Sequence, residues 1–394
     1  MYVVRDVVGT EWTPLMSRLF VGNFDFEQEL SCESRRPPSA ALRRMSAERA
    51  VAWIALADDG DWIWTPEPIA ETFWESLAIH GLPRVRGVVD WNSVTASVSE
   101  VVAWGSLPWT RAINREASYP SEPAVRQANS RVWSFALEQQ LGVALPGAAR
   151  LERVEDVVAA VRRLDADFGE PVAEQGWVIK ANFGMAARER LLGRGGTLSV
   201  AQQNWLRRRL DADGALFFEP WLRRRAEVGI QWTLPPLGHG QPMLVGLTPL
   251  QCDSQGGYRG SEFSLDTSIP REWERAVETC EQAATLLQAL GYFGPLGIDA
   301  AIYEDATGTA IARPLQDVNA RFTMGRLALG FRRLLHDGER GEWRHGRVAD
   351  LNSLQTDETA REINLTPLLI GGKPPMYGSR LRICGARGSP APQS

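Results

Sequence analysis

Asp299, Asp317, Asn319 and Arg321 are the side chains whose types and spacing say most about chemistry in this chain. They stand in residues 291–325, where two largely apolar runs, 296–303 and 309–315, flank Glu304-Asp305-Ala306-Thr307-Gly308. Apolar runs joined by such turn residues predict a β-hairpin. A turn centred near Gly308 puts Asp299 opposite Asp317, and the two-residue period of a strand puts Asn319 on the same face as Asp317. Cross-strand neighbours lie about 4.5–5.5 Å apart at Cβ. Two carboxylates that close repel unless a cation neutralises them, and oxygen-only ligands suit a hard ion such as Mg²⁺. Arg321, next in the same parity, adds a planar cationic fork for phosphate or carboxylate.

Other elements must bring partners to this hairpin. Residues 176–182 read as a short strand carrying Lys180, one of only two lysines in the chain. Residues 183–197 follow with Gly184, Gly193, Gly195, Gly196, Arg188, Arg190 and Arg194. They read either as a basic lid able to fold over phosphates or as a solvated charged turn. Residues 211–234 read as strand, kink, strand, with Glu219-Pro220-Trp221-Leu222 at the kink. Main-chain groups there could hold a planar purine beside Trp221, with Leu222 as the donor because Pro220 has no N–H, and Glu227 could take ribose hydroxyls. A simple hairpin rim fits the same residues.

Residues 1–120 alternate as an α/β unit, with strands expected at 19–21, 51–57 and 86–89 and a helix at 66–77. Helices are expected at 130–141, opened by Arg131, and around 154–164. A glycine-rich loop is expected at 251–263, a helix from Pro270 to the stop at Gly291, a further helix at 327–335, and a tail from 376 that is disordered from about 387. With 394 residues and 44% hydrophobic content, the chain is long enough for two or three domains. A net charge of −5 gives no basic footprint and argues against nucleic acid as a partner. Cys32, Cys252, Cys280 and Cys384 lack metal-type spacing and read as reduced thiols. There is no signal-type apolar core and no run near the roughly 18 residues of a membrane span, so no membrane association and a cytoplasmic setting are expected. His80, His239, His336 and His345 are dispersed and read as structural.

A lysine strand, a glycine-bearing lid, Glu-x-x-Leu, then Gly-x-Asp, a hairpin and acid-x-Asn-x-Arg, in that order, resemble the ATP-grasp superfamily over about residues 121–330. The resemblance implies an ATP-grasp fold, two α+β subdomains clasping ATP, preceded by an N-terminal α/β pre-ATP-grasp domain. The implied boundaries are 1–120 for that domain, 121–228 for the lid and hinge subdomains, 229–375 for the metal-bearing subdomain and 376–394 for the tail. It further implies Lys180 and Arg131 on the phosphates, with Glu219, Trp221 and Leu222 at the adenine and Glu227 on the ribose. Mg²⁺, with Mn²⁺ as an alternative, would sit on Asp299, Asp317 and Asn319, and Arg321 would face the transferring phosphoryl group. Asp317 stands where the family usually has glutamate, and Arg131 where it often has lysine. The implied activity is an ADP-forming carboxylate-amine ligase acting on a small molecule or peptide. A small-molecule kinase and a non-catalytic nucleotide-binding protein are the alternatives, and no motif specifies an oligomer, leaving a homodimer open.

Overall fold

The computed structural model describes residues 17–32, 37–113, 117–168, 176–184, 189–195, 197–305, 307–353 and 359–385. Residues 386–394, where a disordered tail is expected, and residues 185–188 and 196 of the expected lid lie outside the described residues. The strands are β1 (Ser17–Val21), β2 (Trp62–Trp64), β3 (Arg86–Val88), β4 (Val98–Ala103), β5 (Ala149–Leu151), β6 (Trp177–Lys180), β7 (Arg190–Gly193), β8 (Leu216–Pro220), β9 (Arg223–Leu234), β10 (Met243–Cys252), β11 (Tyr258–Ser264), β12 (Gly294–Glu304), β13 (Ala310–Asn319), β14 (Arg340–Arg347), β15 (Arg361–Asn364) and β16 (Tyr377–Cys384).

They form three sheets. A parallel four-stranded sheet, order β3-β2-β1-β4, makes the N-terminal α/β unit. Its apolar residues Leu19, Phe20 and Val21 are fully buried, and the Phe20 and Trp53 rings lie 5.2 Å apart. An antiparallel four-stranded sheet, order β5-β8-β6-β7, shares its own core with the helices Val154–Phe168 and Val200–Asp213, built on Trp177, Ile179, Leu206 and Phe218. The largest sheet is antiparallel with eight strands, order β13-β12-β9-β10-β11-β14-β16-β15. The helix Glu274–Ala289 buries Ala276, Cys280, Ala283 and Leu287 in the same core as Leu296, Ile298 and Ala300 of β12. Each large apolar side chain buried this way stabilises by about 1.5–3 kcal/mol. Strand alternation that sends Ile298 into this core turns Asp299 to the opposite face.

Several expectations need correction. Residues 51–57 are no strand: Val51–Ala55 is a 3₁₀ helix continuing the helix Ala40–Ala50, since a wholly buried apolar run carries no period that tells helix from strand. The expected loop 251–263 is mostly strand, and only residues 253–257 turn between β10 and β11. Gly260 serves a close approach there, because a Cβ at that position would lie 2.5 Å from the Trp343 carbonyl oxygen. The expected tail from 376 contains β16, which pairs with both β14 and β15. The helix Val200–Asp213 has no apolar stripe to announce it, yet Ser199 and Gln202 form a capping box at its start and Gly214 closes it at φ 71°. The helix expected at 66–77 is Glu71–Ala78. Among the described residues, no helix is long and apolar enough to cross a membrane, and all four cysteines are free thiols.

Candidate active site

The hairpin forms and sets Asp299 opposite Asp317 as expected, although its turn is centred near Thr307 rather than Gly308. Asp299 pairs with Asp317 and Gly297 with Asn319, and the turn is built by Asp305, whose Oδ1 accepts from the Thr307 and Thr309 amides at 2.9 Å, with Gly308 at φ 83°. Asn319 Nδ2 donates to Asp299 Oδ2 at 3.3 Å. Burial, then the neighbouring carboxylates Asp317 and Glu227, push the Asp299 carboxyl up to about 7. An oxygen-rich corner in which one carboxyl resists ionisation is a place that a cation would stabilise.

Just beyond this pair the register slips. Asp299 faces Asp317, but Ala301 already faces Arg313, so two steps along β12 match four along β13. Pro314, which has no ladder donor, lies in the slip. Such an irregularity re-aims side chains. Here it turns Leu315 into the core and lets Gln316 join Arg313, Asp317 and Asn319 in lining one cavity of about 530 Å³.

That cavity lies between the two antiparallel sheets and reaches the N-terminal unit at Phe24 and Trp104. All ten residues named from the sequence line it: Arg131, Lys180, Glu219, Trp221, Leu222, Glu227, Asp299, Asp317, Asn319 and Arg321. Their partners within the protein are more committed than the sequence suggested. Arg131, at the start of the helix Arg131–Gln140, donates to both carboxylate oxygens of Asp317 at 3.2 and 3.1 Å and to the Ala181 carbonyl at 3.0 Å. Arg321 pairs with Glu27 of the N-terminal unit, donates to Asn319 Oδ1 at 2.9 Å, and lies over the Trp104 ring at 5.4 Å. Glu227 accepts from Arg224 and from Gln316, each at 2.8 Å.

Lys180 ends β6 beside Glu219 of β8, with Nζ 3.0 Å from Oε2. Arg313 grips the same carboxylate with two bonds, 2.8 Å to Oε2 and 3.0 Å to Oε1, and lies 3.7 Å from Glu138. Burial alone would raise the Glu219 carboxyl, but the Arg313 and Lys180 charges overcome it and hold it well below the usual range. Burial dominates at Glu138, with Arg313 opposing, and pushes that carboxyl up to about 7. Neither Arg313 nor Glu138 was named from the sequence. Period-2 alternation from Asp317 already puts Arg313 on the same face, a signal that lies outside the acid-x-Asn-x-Arg motif, and Glu138 lies on a helix with no site motif.

At the kink, the Trp221 amide donates to the Gly176 carbonyl at 2.9 Å, and the Arg224 and Arg190 guanidinium groups lie 4.7 and 5.6 Å from the Trp221 ring. Leu222 packs with Leu145 and Tyr303. Among the described residues no three His, Cys, Asp or Glu side chains gather as a metal cluster. The hairpin offers two carboxylates and an amide instead, and Mg²⁺ commonly takes one or two carboxylates and completes its shell with phosphates and water.

No protein-family model and no curated protein matches the sequence. Solved structures do match. An N5-carboxyaminoimidazole synthetase from Staphylococcus aureus complexed with ADP is 9% identical with TM-score 0.54, covering 94% of this chain and 93% of that one. The N5-carboxyaminoimidazole ribonucleotide synthetase of Thermus thermophilus is 14% identical with TM-score 0.51, covering 95% and 94%. The biotin carboxylase domain of the Hydrogenobacter thermophilus 2-oxoglutarate carboxylase, solved with MgADP, ADP and bicarbonate, is 11% identical with TM-score 0.51, covering 94% and 86%. At these identities the likeness is one of fold, and it spans nearly the whole chain.

Proposed function

We propose that this chain, whose fold is that of the ATP-grasp superfamily, is an ADP-forming ligase that activates a carboxylic acid as its acyl phosphate and joins it to an amine or similar nucleophile. The observation that carries this reading is the register-matched pair Asp299 and Asp317, with Asn319 beside it, opening into the same cavity as Lys180 and the 219–222 kink. Solved structures of like fold that hold ADP or MgADP support it.

In this reading a purine lies against the kink at Glu219, Trp221 and Leu222, the ribose meets Glu227, and Lys180 and Arg131 turn to the phosphates. Asp299, Asp317 and Asn319 would hold Mg²⁺, or Mn²⁺, whose ligand preference is alike. When bound, the ion neutralises charge on the phosphate oxygens. An oxygen of the substrate carboxylate attacks the γ-phosphorus, the bond from that phosphorus to the bridging oxygen breaks, and ADP leaves with the electron pair. The amine then attacks the carbonyl carbon, phosphate departs, and the ammonium proton passes to solvent. Positioning and fixed charge do most of the work in such transfers, here from Lys180 and Arg321. A cytoplasmic setting suits the four free thiols.

The test supplies ATP, Mg²⁺, a panel of acids and hydroxylamine as nucleophile. ADP and a hydroxamate should form in equal amounts, and Asp299→Asn should abolish both while keeping the circular dichroism of the parent. ATP consumption with no hydroxamate from any acid would count against the ligase. One observation favours a second reading, nucleotide binding without turnover: Lys180 and Asp317 are each held in an internal ion pair. Tight Mg-ATP binding in calorimetry, with no ADP released for any acid and amine, would select it.

A further inference from the structure

Glu219 is one carboxylate with two cations. Lys180 Nζ lies 3.0 Å from it, while Arg313 binds it through two parallel bonds of 2.8 and 3.0 Å. The two cations come from different sheets, Lys180 from the four-stranded sheet and Arg313 from the eight-stranded one, and both line the cavity. Arg313 is only 5% exposed, and its neighbour Glu138 lies 3.7 Å away. Arg313 stands on β13 opposite Ala301, four residues before Asp317.

This arrangement has a consequence for Lys180. An ammonium that is the sole partner of a recessed carboxylate cannot leave it, because the stranded charge is strongly unfavourable. A planar guanidinium fork that already satisfies both oxygens removes that penalty, and a lysine point charge would not replace it. We propose that Arg313 is a positioning residue that keeps Glu219 neutralised so that Lys180 is released to bind the phosphates of a nucleotide. The inference rests on the reading of Lys180 as a phosphate contact, and it adds a residue with no place in the sequence motif.

Binding of Mg-ADP, measured by calorimetry without turnover, tests it through a set of variants. Lys180→Met should weaken binding about tenfold, the loss of one charge-assisted contact. Arg313→Met should weaken it about as much, because Glu219 then retains Lys180, and Arg313→Lys should fall between that variant and the wild type. Adding Glu219→Gln to Arg313→Met removes the anion that traps Lys180, and should recover at least about threefold of the lost affinity. Placed on a protein that already carries Lys180→Met and Glu219→Gln, so that no carboxylate is stranded, the Arg313→Met change should cost nothing more. A merely structural Arg313 would give the opposite pattern, with no recovery from Glu219→Gln and a further loss in the protein that carries Lys180→Met and Glu219→Gln, and either result overturns the inference. An Arg313→Met protein that binds Mg-ADP like the wild type overturns it as well. If Lys180→Met itself leaves binding unchanged, the phosphate role of Lys180 fails and this inference falls with it.

Discussion

Arg131 occupies the carboxylate corner that Mg²⁺ would need, so its removal should expose the electrostatics of that corner. Its guanidinium lies 3.1 Å from Asp317 Oδ2, and Asp299 stands directly opposite Asp317 in the ladder. At about pH 8, where the Asp299 carboxyl is mostly ionised, two carboxylates about 5 Å apart repel by about 3 kcal/mol at an effective dielectric near 20. Asp317 is 32% exposed, and solvent screening reduces that to about 1–2 kcal/mol. Arg131→Met should therefore lose about 1–2 kcal/mol of stability in EDTA, and should bind Mg²⁺ without nucleotide about tenfold more tightly than the wild type. Urea unfolding followed by tryptophan fluorescence, run with EDTA and with millimolar Mg²⁺, measures both. Mg²⁺ should move the unfolding midpoint of the variant upward by more than that of the wild type. A variant as stable as the wild type in EDTA, or one that Mg²⁺ does not stabilise, would show that Arg131 does not neutralise this corner.

Glu138 makes stability depend on pH. Its carboxyl is pushed from 4.5 up to about 7, so the folded protein keeps a proton that the unfolded chain has released. Its contribution is greatest below 4.5 and is lost as pH rises through about 7, a fall on the order of 2–3 kcal/mol. Denaturant melts across that range should show the fall, and Glu138→Gln should remove about half of it, because Asp299, also pushed up to about 7, contributes over the same range. Gly260→Ala should lose about 1–3 kcal/mol, because the new Cβ meets the Trp343 carbonyl and must push β11 from β14; a melt unchanged by the substitution would contradict that packing. Trp221→Ala removes the ring over which Arg190 and Arg224 lie and should raise the calorimetric Kd for Mg-ADP about three- to tenfold, and an unchanged Kd would place the nucleotide elsewhere.

The hairpin was legible because its determinants are local. An Asp-x-Thr-Gly turn and strand alternation announce the hairpin, but the ladder from that turn, with Ala301 opposite Arg313, would set Asp299 against Leu315, and the two-residue slip around Pro314 is what brings Asp317 there. Lys180 and the kink at Glu219 to Leu222 were legible for a similar reason, as strand ends with distinctive residues. What stayed hidden is set by distant contacts. Arg313 shares the parity of Asp317, but its partners Glu219 and Glu138 lie 94 and 175 residues away on other elements. Glu27, which takes Arg321, comes from the N-terminal unit across 294 residues. Strand β16 carries alternation in Ser379, Leu381 and Ile383, but its place between β14 and β15 depends on partners that no local pattern reveals. The run at 51–57 was misread because complete burial erases the periodicity that separates helix from strand.

If ATP activates a carboxylate, an oxygen of that carboxylate ends in the phosphate released. An acid identified by the hydroxamate screen, labelled with ¹⁸O in its carboxyl group, is incubated with the protein, ATP, Mg²⁺ and the amine, and the released phosphate is analysed by mass spectrometry. One ¹⁸O should appear in the phosphate for each ADP formed, carried there by the acyl phosphate. ADP formed with unlabelled phosphate would contradict that activation.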